Sequence, residues 1–128
     1  MNSPILISNS FPFSLIRRRV VVEPSTVPDL LTAMHARPWV SAWGHQNTVD
    51  LASKLLSADL RTRIEKPTLT LQETRLPQFE GNVFSEVWLL SITPIDGLSR
   101  EEQREIQPHQ IKDWQVLRLV WEETSTLS

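Results

Sequence analysis

The chain has no cysteine among its 128 residues. That excludes disulfides and thiolate chemistry. Histidine is nearly as scarce: His35, His45 and His109 lie far apart, without the short spacings of metal ligands. The expectation is therefore a metal-independent protein with no cofactor. Basic charge is not in excess, since 13 Lys and Arg against 15 Asp and Glu give a net charge of −2. A general nucleic-acid coat protein needs a basic surface to release counterions, so no stable binding of duplex DNA is expected. No apolar run reaches the roughly 20 residues of a membrane span. Residues 1–12 lack the charged leader and continuous apolar stretch of a signal peptide. The expected location is the cytoplasm, with no membrane partner.

What the chain does have is the length of one domain, residues 1–128, with enough apolar side chains for a proper core. Ile5 to Ser8 reads as a buried strand ended by Asn9-Ser10. Arg19 to Val22 is a second β-branched run, stopped by Pro24. Ser25 or Thr26 opens a helix, with Pro28 and Asp29 as favoured early residues and Leu30, Leu31 and Met34 as its apolar stripe. Trp39 to Trp43 reads as a strand, and residues 47–57 as a helix. Arg61 to Ile64 and Thr68 to Leu71 alternate as strands do. Pro77 to Asn82 is expected as a loop turning at Gly81-Asn82. Val87 to Ile92 is continuous enough for a central strand covered on both faces. Ser99-Arg100-Glu101-Glu102 has the capping-box pattern of a short helix ending before Pro108. Gln115 to Trp121 is the last expected strand, and residues 122–128 read as a frayed tail. Alternating strands and helices predict an α/β fold, a single-domain mixed β-sheet flanked by helices.

One stretch carries chemistry: Val40-Ser41-Ala42-Trp43-Gly44-His45-Gln46-Asn47-Thr48. A short apolar run ends at a glycine turn, presents a histidine and enters a helix marked by Val49, Ala52, Leu55 and Leu56. Asn47 or Thr48 is the expected cap of its first turn. Helix starts attract anions, phosphate above all. Histidine is the side chain that exchanges a proton near neutral pH without a large pKa shift. Phosphate-ester chemistry or phosphate binding follows from that combination; a simple turn residue is the plainer role for such a histidine.

These residues resemble the small viral and prokaryotic ring nucleases of the anti-CRISPR type, which degrade the cyclic tetra-adenylate messenger of type III CRISPR systems. Leu6-Ile7-Ser8-Asn9-Ser10 is similar to the family's first strand ending in Asn-Ser. Ser41 to Thr48 is similar to its Ser-Ala-x-Gly-His-x-x-Thr signature. Leu98-Ser99-Arg100-Glu101-Glu102 is similar to its Leu-Ser/Thr-x-Glu-Glu helix opening. The correspondence is colinear over about residues 4–119, and the central motif is the specific one. It departs from the family at Ile92 to Gly97, where an Arg-x-x-Glu-Gly segment is often found. Here no arginine is present, and Asp96 is the nearest substitute for the glutamate; either Arg75, Arg61 or Arg63 fills the role, or this member cleaves slowly, cleaves another ring or only binds one.

The resemblance implies a mechanism in which the substrate's ribose 2′-OH is the nucleophile. His45 would be the general acid, worth roughly 10²–10⁴-fold in rate. Backbone N–H groups around Gly44, Gln46 and Asn47 would hold the phosphate, with Ser41, Ala42 and Thr48 completing the ligand-binding segment and Asn9 and Ser10 donating further hydrogen bonds. A homodimer would present these groups twice to a symmetric cyclic oligoadenylate. Two rivals stand beside this. One is a sponge of the same fold that binds the ring uncut; the other is a small viral structural or DNA-associated protein using Arg17-Arg18-Arg19. The five tryptophans are expected in core or dimer packing, with Trp43 the one placed to stack on a base.

Overall fold

Ile5-Leu6-Ile7 alternates between two cores. Successive side chains of a strand point to opposite faces, and here Ile5 and Ile7 join one buried cluster while Leu6 joins another. The computed structural model describes residues 3–43, 46–60, 69–71 and 75–122. In chain order these form β1 (Ile5–Ser8), β2 (Val20–Ser25), α1 (Val27–Ala36), β3 (Trp39–Ala42), α2 (Gln46–Leu56), β4 (Thr70–Leu71), β5 (Pro77–Phe79), β6 (Asn82–Val83), β7 (Glu86–Pro94), α3 (Arg100–Arg104) and β8 (Ile111–Trp121). Single 3₁₀ turns occupy Phe13–Leu15 and Pro108–Gln110.

Five strands make a mixed sheet in the order β2-β8-β7-β1-β3. β1 runs parallel to both β3 and β7, whereas β8 is antiparallel to β7 and β2. The apolar run in β7 takes the central place, with Val87 in one cluster and Trp88 and Leu90 in the other. α1 and α2 cover one face through Leu30, Met34, Val49, Ala52 and Leu56. The opposite face carries Phe79 from a small antiparallel sheet, β4-β5-β6, together with Phe11 and Phe84. The expected mixed α/β sheet is therefore present in one small domain, and its two longer helices share a single face.

Local signals set most element ends. Thr26 caps α1, its hydroxyl accepting from Asp29 N at 3.2 Å, with proline in the first turn. Ser99 and Glu102 form the reciprocal capping box of α3 at 3.1 Å each way. α2 ends with Ser57 at φ 53 and the Ala58 N–H on Ser53 O at 3.1 Å, the six-to-one closure of a helix ended by a left-handed residue.

Several expectations are corrected. β2 runs through Pro24, because it is an edge strand and a missing N–H is tolerated there. The expected loop over 77–82 is a hairpin. Its turn is Glu80-Gly81, both at positive φ as a type I′ turn requires. β8 begins four residues earlier than the apolar pattern suggests, since its pairing with β7 reaches Ile111. α2 begins at Gln46, so Asn47 and Thr48 are inside its first turn instead of capping it. Glu122 is not frayed: its N–H donates to Arg19 O at 3.1 Å, and its carbonyl accepts from Arg18. Residues 123–128, and the strand expected at 61–64, lie outside the described residues, as does Thr68.

Candidate functional site

The sheet itself creates a sheltered edge. Parallel strands β1 and β3 end level with each other, Ser8 opposite Ala42. β7 pairs Leu89 with Ser8 and then continues to Pro94, forming a wall beyond the end of β1. Open sheets with parallel strands bind ligands in the crevice outside such carboxyl ends. A cleft of about 230 Å³ lies there, lined by Asn9, Thr48, Ser91, Ile92, Pro94, Gln103 and Ile106. Four separate segments meet in it: the turn after β1, the first turn of α2, the end of β7 and the α3 region.

Of the residues expected to bind a ligand, Asn9 and Thr48 come together in this cleft. Asn47 sits beside it, and its amide donates to Ile106 O at 3.1 Å, tying the first turn of α2 to the cleft wall. Ser10 is exposed in a turn organised by Ser8, whose hydroxyl donates to Ser10 O at 2.9 Å. Ser41 is buried and its hydroxyl donates to Leu60 O, while Ala42 is buried against the second cluster. Gln46 is the first residue of α2. Gly44 and His45 lie outside the described residues. The segment they belong to joins Trp43, just past β3, to the start of α2.

The cleft's described lining residues carry no charge. Asp96 is exposed and is not among them. Glu102 is committed to the Ser99 N–H of the capping box. Arg75 does not supply the positive charge that Ile92 to Gly97 lacks. It lines an open groove with Arg17, Arg18 and Arg19. That groove lies near the start of β2, where Val20 pairs with Trp121, whereas the cleft flanks the β7–β8 pairing at Pro94 and Ile111. The near edge of the cleft, at Ser91 opposite Gln115, is six residues of β8 from Trp121, about 20 Å of extended chain. Arg61 and Arg63 lie outside the described residues. Trp43 is 4% exposed within the first cluster, so it packs in the core and offers no face to a base.

A second polar cluster escaped the sequence altogether. The Glu86 carboxylate, 6% exposed at the start of β7, lies 2.8 Å from Arg37 and 3.0 Å from Arg118, and accepts from Trp88 Nε1 at 2.7 Å. Burial pushes its pKa up, but hydrogen bonds from Arg118, Arg37 and Trp88 and the charge of Arg37 outweigh that and hold it below the ordinary value. The hydrogen bond to Glu86 raises the Arg118 pKa against the opposing effect of burial. Arg37 also donates to Ser3 O at 3.1 and 3.0 Å, fastening the chain before β1. The cluster's charged groups are committed to each other, which makes it a structural clasp. The polar lining residues that the sequence did not single out are Ser91 and Gln103, which had no signal of their own: Ser91 is one hydroxyl in an apolar strand, and only the register of β7 brings it to the cleft.

The fold belongs to the class of small mixed-sheet α/β domains with a crevice at the ends of two parallel strands. No family model matches the chain, and no curated protein matches it in sequence. Among solved structures it is similar to B116 of Sulfolobus turreted icosahedral virus, with a TM-score of 0.55 and 16% identity, covering 94% of this chain and 100% of that one. At that identity the likeness establishes a shared fold. Among the described residues no helix is long and apolar enough to cross a membrane, and no group of three His, Asp or Glu side chains is arranged to hold a metal ion.

Proposed function

We propose that the chain is a metal-independent ring nuclease that opens cyclic oligoadenylate, with cyclic tetra-adenylate as the first candidate, and so switches off type III CRISPR signalling. The observation that carries this reading is the convergence of Asn9 and Thr48, from two separate motifs, in one cleft at the strand ends. Ser41 and Ala42 end β3 and Gln46 opens α2, so the histidine-bearing motif is bracketed by a strand end and a helix start.

In the proposed reaction the ribose 2′-oxygen attacks the adjacent phosphorus and loses its proton to solvent. The bond from phosphorus to the 5′-oxygen breaks, and His45 donates the proton which that oxygen takes up. The products are linear fragments ending in 2′,3′-cyclic phosphate. Holding the two oxygens in line contributes several kcal/mol, on the order of 7–11 in ideal cases. A two-fold homodimer places two copies of His45 on opposite sides of the ring. The compartment is the cytoplasm of a prokaryotic or virus-infected cell.

The test is cleavage of cyclic tri-, tetra- and hexa-adenylate by the full chain in excess EDTA, with products identified by mass. Cyclic-phosphate ends are expected, and His45→Ala is expected to lower the rate by roughly 10²–10⁴-fold while ring binding persists. Parental cleavage by that variant would remove His45 from the mechanism. A second reading, capture of the ring without cutting, is favoured by the uncharged lining of the described cleft and the absence of arginine in Ile92 to Gly97. Intact ring that co-migrates with the protein would select it.

A further inference from the structure

We propose that the groove formed by the start of α1, one side of α2 and the first residues of β8 is a docking surface for an acidic amphipathic helix of a partner protein. It shares no described lining residue with the cleft at the strand ends, so it stands apart from the ring-nuclease reading.

The groove encloses about 830 Å³ and is open along one side. Its wall on α2 is a ridge of Leu51 and Leu55, which lie one turn apart and so on one side of the helix. The chain buries a different stripe of α2, Val49, Ala52 and Leu56, and packs the ridge into neither of its two cores. Leu55 is left 36% exposed. Val27 from α1 and Ile111 and Trp114 from β8 continue the apolar lining, and Val27 and Trp114 also touch the first core. A single exposed leucine is ordinary. Apolar side chains from three elements sharing one concave surface mark an interaction site.

The charges on this surface say what covers it. Lys54 and Lys112 line the groove, both exposed and, among the described residues, in no ion pair. Asp113 also lines it, but its carboxylate already accepts from the Trp114 N–H at 2.9 Å. An apolar surface bearing two such lysines suits an occupant with apolar side chains on one side and carboxylates beside them; a basic partner would set like charges together. An amphipathic helix carries that pattern and lays its apolar face into a groove of this kind. Leu51 and Leu55 form the i, i+4 ridge against which a second helix packs, and Trp114 offers the large aromatic contact that dominates many interfaces. A small ligand fits less well, because its pocket normally buries roughly 70–90% of its surface and this groove is open.

The experiment follows the fluorescence anisotropy of a labelled helical peptide titrated with the full chain. The peptide has about 15 residues, with leucine at i, i+3, i+4 and i+7 and glutamate along both flanks. Its twin carries lysine at every glutamate position. The acidic peptide is expected to bind at least about 10-fold more tightly than the twin, with the difference shrinking as salt rises. Leu55→Gln, an exposed helical position whose fold is checked by circular dichroism, should weaken binding about 10-fold or more, the worth of one buried leucine. A Lys54→Glu/Lys112→Glu double variant should reverse the preference and take the basic twin. Binding of neither peptide, equal binding of both, or an unchanged preference in the double variant would overturn the proposal. So would self-association of the parent chain in sedimentation that Leu55→Gln abolishes, which would give the groove to a second copy.

Discussion

At the start of β7 the Glu86 carboxylate accepts from Arg37, Arg118 and Trp88, all within 3.0 Å. At the other end of the same strand, Ser91 shares a cleft with Asn9 and Thr48, whose side chains make no hydrogen bond to another described residue. One end commits charged groups to each other; the other keeps neutral groups in reserve. A buried carboxylate left alone would be costly, so its clasp must be complete. A ligand pocket needs the opposite, because hydrogen bonds already made inside the protein are unavailable to a ligand. The parallel strands set which end is which, since their carboxyl ends open the crevice and their amino ends lie beside the clasp.

The sharpest way to break this contrast is Glu86→Ala. It leaves Arg37 without its carboxylate and Arg118 with only Glu23, at 3.8 Å, and is expected to lower unfolding free energy by about 3 kcal/mol, at the lower end for a broken buried pair because both arginines are partly exposed. Urea denaturation measures it. Binding of cyclic tetra-adenylate by the folded fraction should be unchanged, and a loss would mean that the two ends are coupled.

Acid should act on the same end. The Glu86 carboxyl is held below its ordinary value of 4.5 in the folded chain. The carboxylate's contribution is therefore present above pH 4.5 and is lost as pH falls through the lower folded value. Melting temperature should drop in that window for the parent chain and fall less steeply for Glu86→Gln. Equal slopes would mean that other carboxylates dominate acid unfolding.

The smallest effect belongs to the cleft end. Asn47→Ala removes the amide from Ile106 O and is expected to cost about 1 kcal/mol of stability, the net worth of one hydrogen bond. Unlike Glu86→Ala, it should also weaken binding of cyclic tetra-adenylate, because it releases the first turn of α2 from the cleft wall. A stability loss with unchanged binding would show that the cleft holds its shape without that tie.

How far these features are legible in sequence depends on the range of the interaction. β1, α1 and α3 emerge from alternation, proline position and capping residues, all local within a few positions. Pro24 misleads because a proline stops a strand only where its N–H is needed, and edge placement is not written locally. The 77–82 hairpin is hidden because Glu80 is not a usual left-handed residue, so the turn sits one residue before the Gly81-Asn82 signal. In the cleft, Asn9 and Thr48 are legible through the resemblance to the ring nucleases. Ser91 and Gln103 are not, since nothing near them in sequence differs from an ordinary strand or a solvated helix.

The sequence by itself determined the absence of thiol chemistry, the near-neutral charge, the α/β alternation and the histidine-bearing segment between a strand and a helix. These follow from residue type and short-range periodicity. Tertiary structure alone decided the order β2-β8-β7-β1-β3, the overhang of β7 past β1, the meeting of Asn9 with Thr48, Ser91 and Gln103, and the clasp around Glu86. The physical reason is that an apolar strand specifies which faces it must bury but not which neighbour it pairs with. Register between distant strands is fixed only when all of them pack together.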